Sequence, residues 1–170
     1  MDVIMWNASD RFTWLPLYAI MAFLIIRKYG KASWLPIVYA VLAVALSDQL
    51  SSHLVKNIVL RYRPSHNLVL QSQLHYVKNY TGALYGFASS HAANSMALSF
   101  FIFLMFRKNY IAALLSFYVA LVCYSRIYLG VHYPSDIAGG LVIGIVCGYA
   151  AYKLFLVTEE QMAKRSKKVN

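Results

Sequence analysis

Three short stretches of the chain hold the residue types that could do chemistry together: Lys56, Arg61, Arg63 and Pro64; Ser89, Ser90 and His91; and Ser125, Arg126, His132 and Asp136. Pro134 fits the first turn of a helix, which puts Asp136 near the third helical position. From there a carboxylate folds back toward the N-cap and reaches the imidazole of His132. Such a contact fixes the ring tautomer and leaves the other nitrogen as a nucleophile or a base. Two histidines, one carboxylate and at least three cations, with no further acidic residues to hold a metal, describe metal-free phosphoryl transfer. Each piece alone has a plainer reading. Asp136 can be a helix cap, Ser89 an N-cap beside an incidental histidine, and Lys56 and Arg126 counter-charges at helix C-termini. Those readings explain positions and leave the convergence unexplained.

Something must bring these stretches together, and composition says what it is. With 60% hydrophobic and 13% charged residues and a mean hydropathy of +0.53, the chain is too apolar for an ordinary soluble domain and far too apolar for a disordered one. Apolar runs lie at 12–26, 33–47 continuing past Asp48 to 55, 92–106, 109–125 and 137–157. These make five candidate spans, some extended through polar ends to the roughly 20 residues a crossing needs. The expected architecture is all-α: a polytopic transmembrane helix bundle forming one domain over 1–170, with an outer-side loop between spans two and three. A buried soluble bundle is the alternative. Residues 1–9 lack the basic start and long apolar stretch of a signal peptide, so an interfacial segment is expected there, with Trp6 and Trp14 at headgroup depth.

Charge sets the orientation. One side carries Arg27, Lys28, Lys31, Arg107, Lys108, Lys153, Lys164, Arg165, Lys167 and Lys168; the other carries Arg11, Lys56, Arg61, Arg63, Lys78 and Arg126. The ten-cation side is expected to be cytoplasmic, with the C-terminus, and the three polar stretches then share the outer face. The net charge of +10 does not favour nucleic acid as a partner, because the basic residues occupy short gaps between apolar runs. The basic tail needs only anionic lipid headgroups. Cys123 and Cys147 sit inside apolar runs and are expected as small core residues, not as a disulfide or zinc site.

Spans three and five run from outside to inside, so their N-termini, with unpaired N–H groups and partial positive charge, point where the cations gather. That is a site for an anion. The intervening segment 61–90 shows no clean period and is expected as a short surface-lying helix with loops, serving as a lid or substrate-facing element. Asp48, one turn from Ser52 and two from Lys56, is expected to tether the end of its span. Tyr118, Tyr124, Tyr128 and Tyr149 are expected in packing or at the interface.

At these spacings the residues resemble the type 2 phosphatidic acid phosphatase superfamily, also called the lipid phosphatase and haloperoxidase superfamily. Its first motif, Lys, six residues, Arg-Pro, is matched by Lys56 to Pro64; its third, Ser-Arg, five residues, His, three residues, Asp, is matched by Ser125 to Asp136. The second, Pro-Ser-Gly-His, stands here as Ala88-Ser89-Ser90-His91, keeping serine and histidine and replacing proline and glycine. The resemblance implies that His132 attacks phosphorus to form a phosphohistidine while Asp136 orients it. It also implies that His91 protonates the leaving oxygen, and that Lys56, Arg63 and Arg126, with Ser89 and the N–H of Ser90, hold the phosphoryl oxygens. Arg61 matches no motif position, and solvent or the rim of the site is its expected place. No cofactor and no metal is implied. Five spans are visible, where many bacterial relatives resemble six-span proteins.

The function that follows from the resemblance is a bacterial inner-membrane lipid phosphatase with its site facing the periplasm. Undecaprenyl diphosphate or phosphatidylglycerol phosphate is favoured as substrate, with lipid A phosphate and phosphatidic acid as alternatives. A binder or transporter of phosphate lipids without turnover is an alternative of another class, motivated by the altered second motif. A vanadate-dependent oxidase, like the soluble relatives, is a third. Oligomeric state is not encoded in these features.

Overall fold

A computed structural model describes residues 1–169. Helices carry the chain across every apolar run: α1 (Asp2–Ser9), α2 (Leu15–Tyr29), α3 (Trp34–Asp48), α4 (Lys56–Val59), α5 (Ser90–Phe106), α6 (Asn109–Tyr128) and α7 (Pro134–Val169). The side chains of Lys167 and Lys168, counted above in the basic tail, lie outside the described residues. Among the described residues four helical stretches are long and apolar enough to cross a membrane: Arg11–Ala32, Trp34–Val59, Asn109–Tyr128 and Pro134–Arg165. The remaining expected span, α5, has 17 residues. At 1.5 Å per residue that is about 25 Å, short of the roughly 30 Å hydrocarbon core, so one end of α5 is recessed.

The recessed helix is also the central one. It packs on α3, α6 and α7, and its contact with α7 runs along Gly140, Gly144 and Gly148. A Cβ at those three positions would stand 2.4, 2.5 and 2.6 Å from the backbone carbonyls of Ser89, Ala93 and Ala97. Small residues four apart let two membrane helices approach backbone to backbone, and this stripe sets the register between the N-termini of α5 and α7. The core beyond it is built from Ala97, Phe101, Ile102, Ala151 and Phe155, with Met21 and Ile25 of α2 and Ala40 and Ala43 of α3. Cys147 belongs to this cluster and Cys123 to a second one with Tyr118, Val119 and Val122, so both cysteines are core residues as expected.

Chain direction alternates as threading requires. At the end away from Asp136, Lys28 Nζ donates to the Met105 carbonyl at 2.5 Å, placing the C-termini of α2 and α5 together.

Between α3 and α4 the helix widens to a π turn over Gln49–Val55. Ser51 Oγ donates to the Ser47 carbonyl at 2.7 Å, so a side chain occupies an acceptor the ordinary helical ladder would use. Segment 61–90 corrects an expectation. Up to the start of α5 at Ser90 it holds no α-helix, only 3-10 turns at Pro64–His66, Gln71–Gln73 and Val77–Asn79 and a single bridge between Tyr62 and Tyr85. Without an apolar stripe to bury, a helix there would gain nothing from packing, and backbone bonds to the helix ends hold the segment instead. Arg63 N–H donates to the Leu84 carbonyl and Ser65 N–H to that of Gly130, each at 3.1 Å.

Residues 1–9 form the helix α1, packed on α6. Trp14 does not simply face an interface: its Nε1 donates to the Ala8 carbonyl at 3.0 Å and its ring meets that of Tyr118 edge-on at 4.6 Å.

Candidate active site

The loop between α6 and α7 delivers His132, and the first turn of α7 delivers Asp136. Asp136 Oδ2 accepts from the Tyr133 N–H at 2.9 Å, the N-cap arrangement the Pro134 spacing predicts. The same oxygen lies 3.5 Å from His132 Nδ1, so the fold-back brings the carboxylate to the imidazole. That distance is a close contact and not an aligned hydrogen bond, and Nδ1 has no other partner among the described residues. Both groups are buried, His132 at 2% exposure and Asp136 at 0%. Burial pushes the His132 imidazole down to about 4, the Asp136 carboxylate pulls it back up, and Arg63 and Arg126 add to the lowering. Near neutral pH the ring is therefore uncharged and keeps a lone pair.

On its other side, His132 Nε2 faces Arg63 Nη1 at 3.4 Å. Arg63 is 5% exposed and is fixed by two carbonyls: Nε donates to Tyr85 O at 3.0 Å and Nη1 to Val131 O at 3.2 Å. Arg126, in the last turn of α6, is 3% exposed. Its Nη1 donates to Ser9 Oγ of α1, its Nη2 to Tyr80 OH at 3.4 Å, and its Nε is buried with no partner among the described residues.

The start of α5 supplies the remaining groups. Ser89 is fully buried, its Oγ caps the helix by accepting from the Ala92 N–H at 3.5 Å, and its N–H donates to the Asp136 carbonyl at 3.0 Å. The plain capping reading of Ser89 is thus correct as far as it goes, and its hydroxyl proton remains available to an anion. Ser90 is the first helical residue, where a backbone N–H has no intrahelical acceptor. His91 follows, within Coulombic reach of Arg126, His132, Arg63 and Lys56. Lys56 is half-buried at the start of α4, with Arg63 and Arg126 as charged neighbours. All eight expected residues therefore meet at one end of the bundle. Asp48 acts as a tether, but toward α5: its Oδ1 accepts from Asn94 Nδ2 at 2.9 Å and Ser52 Oγ at 3.4 Å, while Asn94 Oδ1 accepts from Ser47 Oγ at 2.5 Å.

Three features of the site have no motif position. Arg61 Nη1 reaches Asp136 Oδ1 at 3.1 Å and Ser135 Oγ at 2.7 Å, so it is not a solvent residue. Its spacing was the available signal, since residues two apart in extended chain point the same way and Arg63 is the motif arginine. Ser9 and Tyr80 hold Arg126 from segments without any chemical pattern. Gly86 lies against the pair itself: a Cβ there would stand 3.1 Å from Asp136 Oδ2 and 3.6 Å from His132 Nδ1.

An anion fits this arrangement chemically. Arg61 and His132 share the Asp136 carboxylate, Lys56, Arg63 and Arg126 form no ion pair among the described residues, and the α5 N-terminus adds its partial positive charge. Beside His91 and Ser90 opens a cavity of about 960 Å³ that runs between α2, α3, α5 and α6. Its lining combines polar Asp10, Arg11, Asp48, Gln49 and Asn94 with apolar residues, Met21, Ile25, Val44, Leu98 and Ile102 among them.

Comparison with known proteins assigns the family. The PAP2 superfamily model matches residues 14–159. The lipid A 4'-phosphatase of Porphyromonas gingivalis is 35% identical over 157 residues, 92% of this chain and 66% of that protein. Undecaprenyl-diphosphatase BcrC of Bacillus subtilis is 36% identical over 67 residues, 39% of this chain and 34% of that protein. The crystal structure of Aquifex aeolicus LpxE superposes with a TM-score of 0.67 at 25% identity, covering 89% of this chain and 85% of that one. With the family matched over most of its length, and the fold of a solved relative, this integral membrane chain belongs to the PAP2 superfamily.

Proposed function

We propose that the protein is a membrane lipid phosphatase that removes a terminal phosphate through a phosphohistidine on His132. The observation that carries the reading is a buried, uncharged imidazole set between Asp136 and Arg63, with His91 of the same cluster lining a deep, largely apolar cavity. His132 Nε2 attacks phosphorus, and the bond to the lipid oxygen breaks as His91 gives that oxygen a proton. Asp136 holds Nδ1–H and stabilises the positive charge the ring acquires. Water, activated by the now basic His91, then attacks the phosphohistidine, releasing inorganic phosphate and restoring His132. Lys56, Arg63 and Arg126, the Ser89 hydroxyl and the Ser90 N–H neutralise the phosphoryl oxygens, which carry about −1.5 to −2 charges before transfer.

The cavity supports a lipid as substrate. From Ser90 to Ile102 its α5 wall extends over twelve residues, about 18 Å, parallel to the helices and into the hydrocarbon layer. A hydrocarbon chain laid there keeps its phosphate at His91. Among lipids, a lipid A type 4'-phosphate comes first, because the relative so named resembles 92% of this chain. A polyprenyl diphosphate comes second, because the undecaprenyl-diphosphatase resembles only 39% of it. By the charge count the site faces outward from the cytoplasm, periplasmic in a bacterial inner membrane, with the C-terminus inside.

The deciding assay offers the purified protein a panel of lipid A, undecaprenyl diphosphate, phosphatidylglycerol phosphate and phosphatidic acid in detergent with a chelator present. Phosphate release from one of them by the unmutated protein, and none by His132→Ala, is the expected result. Undiminished release by His132→Ala would refute the mechanism. Tight lipid binding with no release would instead favour a binder without turnover.

A further inference from the structure

We propose that Arg61 is a positioning residue for this reaction: it holds Asp136 so that one carboxylate oxygen is committed to His132 and cannot neutralise the phosphate-binding cations. The inference rests on the proposed role of the His132–Asp136 pair and adds a residue that lies outside the motifs.

The carboxylate of Asp136 is divided between two sets of partners. Oδ2 serves the Tyr133 N–H and His132 Nδ1, while Oδ1 meets Arg61 Nη1 at 3.1 Å. Arg61 is itself fixed from three directions. Nη1 also donates to Ser135 Oγ at 2.7 Å, the guanidinium lies 4.2 Å from the centre of the Tyr133 ring, and the Arg61 carbonyl accepts from the Gly86 N–H at 2.9 Å. Gly86 in turn is the residue that covers the His132–Asp136 pair. One arginine thus grips the carboxylate by its side chain and, by its backbone, the segment lying on top of it.

The need for such a grip follows from the surrounding charge. Asp136 is fully buried, and the Arg63 guanidinium is close enough for the two charges to interact. A carboxylate free to rotate would be drawn to Arg63, an attraction strengthened by burial. Turned that way, it would release the His132 tautomer and cancel a charge needed by the phosphate. Arg61 supplies the competing cation on the opposite oxygen, and with its side chain 38% exposed it stands at the rim, outside the space beside His132 Nε2.

The test uses the full chain in detergent, with Arg61→Ala, Arg61→Lys and Asp136→Asn alone and Arg61→Ala combined with Asp136→Asn. Expected are a loss of about 10- to 100-fold in kcat for Arg61→Ala with KM within a factor of about two, partial recovery in Arg61→Lys, and little further loss when Asp136 is already Asn. A raised KM with kcat intact would make Arg61 a phosphate contact and overturn the proposal, as would full additivity with Asp136→Asn. Nitrogen-15 spectra of the histidines supply a readout independent of turnover. His132 should be a single Nδ1–H tautomer in the unmutated protein and a mixture in Arg61→Ala. An unchanged tautomer sinks the proposal even if the protein has no phosphatase activity, an outcome that would itself sink only the functional reading.

Discussion

Replacing Gly140 by alanine adds one methyl group and should cost the site its alignment. The new Cβ would lie 2.4 Å from the Ser89 carbonyl oxygen and 3.0 Å from the Ala92 Cβ. Ordinary contact begins near 3.4 Å, so the backbones must separate by 3.4 − 2.4 = 1.0 Å at that point. Gly140 is helical backbone, and Ser89 is the N-cap whose carbonyl accepts from the Ala93 N–H at 3.0 Å, so neither side can give way by a rotamer change. Ser89, Ser90 and His91 ride on one side of this contact and His132 and Asp136 on the other, joined by the Ser89 N–H to Asp136 carbonyl bond. A displacement of about 1 Å in a reacting constellation costs on the order of 100-fold, or about 2.7 kcal/mol of transition-state stabilisation. Gly148→Ala is the matched control. Its Cβ would meet the Ala97 carbonyl at 2.6 Å, a similar clash, but eight residues or about 12 Å farther along α7. Both variants should lower the thermal midpoint in detergent by comparable amounts, overpacking being worth about 1–3 kcal/mol. Only Gly140→Ala should lose about 100-fold in kcat for phosphate release from a lipid phosphate. Equal kcat in the two variants, at equal stability, would refute the claim that the glycine stripe sets the distance between the two histidines.

Two other expectations concern charge. The His132 imidazole is held at about 4 in the folded protein against 6.5 in a free chain, so the unfolded state binds its proton first. Stability linked to this residue is therefore complete above pH 6.5 and is lost as pH falls toward 4, by about 3 kcal/mol. Thermal melts of His132→Gln should show a flatter decline over that interval, and a slope equal to the unmutated protein's would contradict the burial argument. Inorganic phosphate should raise the thermal midpoint, by the equivalent of about 2.7 kcal/mol at a hundred times its dissociation constant. Arg126→Gln should reduce that gain, whereas a midpoint indifferent to phosphate would deny an anion site.

The site was legible in the sequence wherever a residue had to account for its own cost. Ionisable groups at bilayer depth demand partners, and alternate threading of five apolar runs leaves one end of the bundle where Lys56, Arg63, His91, Arg126, His132 and Asp136 can find each other. The Pro134 spacing gave the Asp136 fold-back for the same reason, since a helix start has few ways to satisfy its N–H groups. Segment 61–90 was not legible as structure, because it is held by backbone bonds to helix ends distant in sequence and has no period of its own. The π turn at Gln49–Val55 depends on where one serine hydroxyl points. Ser9 and Tyr80 escaped because single polar residues outside a span carry no penalty that singles them out, and Arg61, expected in solvent or at the rim, is assigned to the rim only by its bond to Asp136. The relatives also shift the favoured substrate from polyprenyl diphosphate and phosphatidylglycerol phosphate toward lipid A, a choice the phosphate-binding residues alone do not contain.

What keeps the pocket positive is the kind of partner each cation has been given. Burying a charge is costly unless it is hydrogen-bonded, and the cheapest partner for a buried arginine is usually a carboxylate. Here Arg63 is held by the carbonyls of Tyr85 and Val131, and Arg126 by the hydroxyls of Ser9 and Tyr80. Such neutral acceptors fix geometry and offset desolvation without cancelling charge. Among the described residues the one buried carboxylate, that of Asp136, is divided between Arg61 and the His132 ring, so it sets the tautomer and not the potential. The two tasks conflict within a single pocket, since the acid proposed to orient His132 is also the natural counter-ion of Arg63 and Arg126. Assigning it an arginine of its own, at the rim, separates them, and the potential left over is available to a dianion.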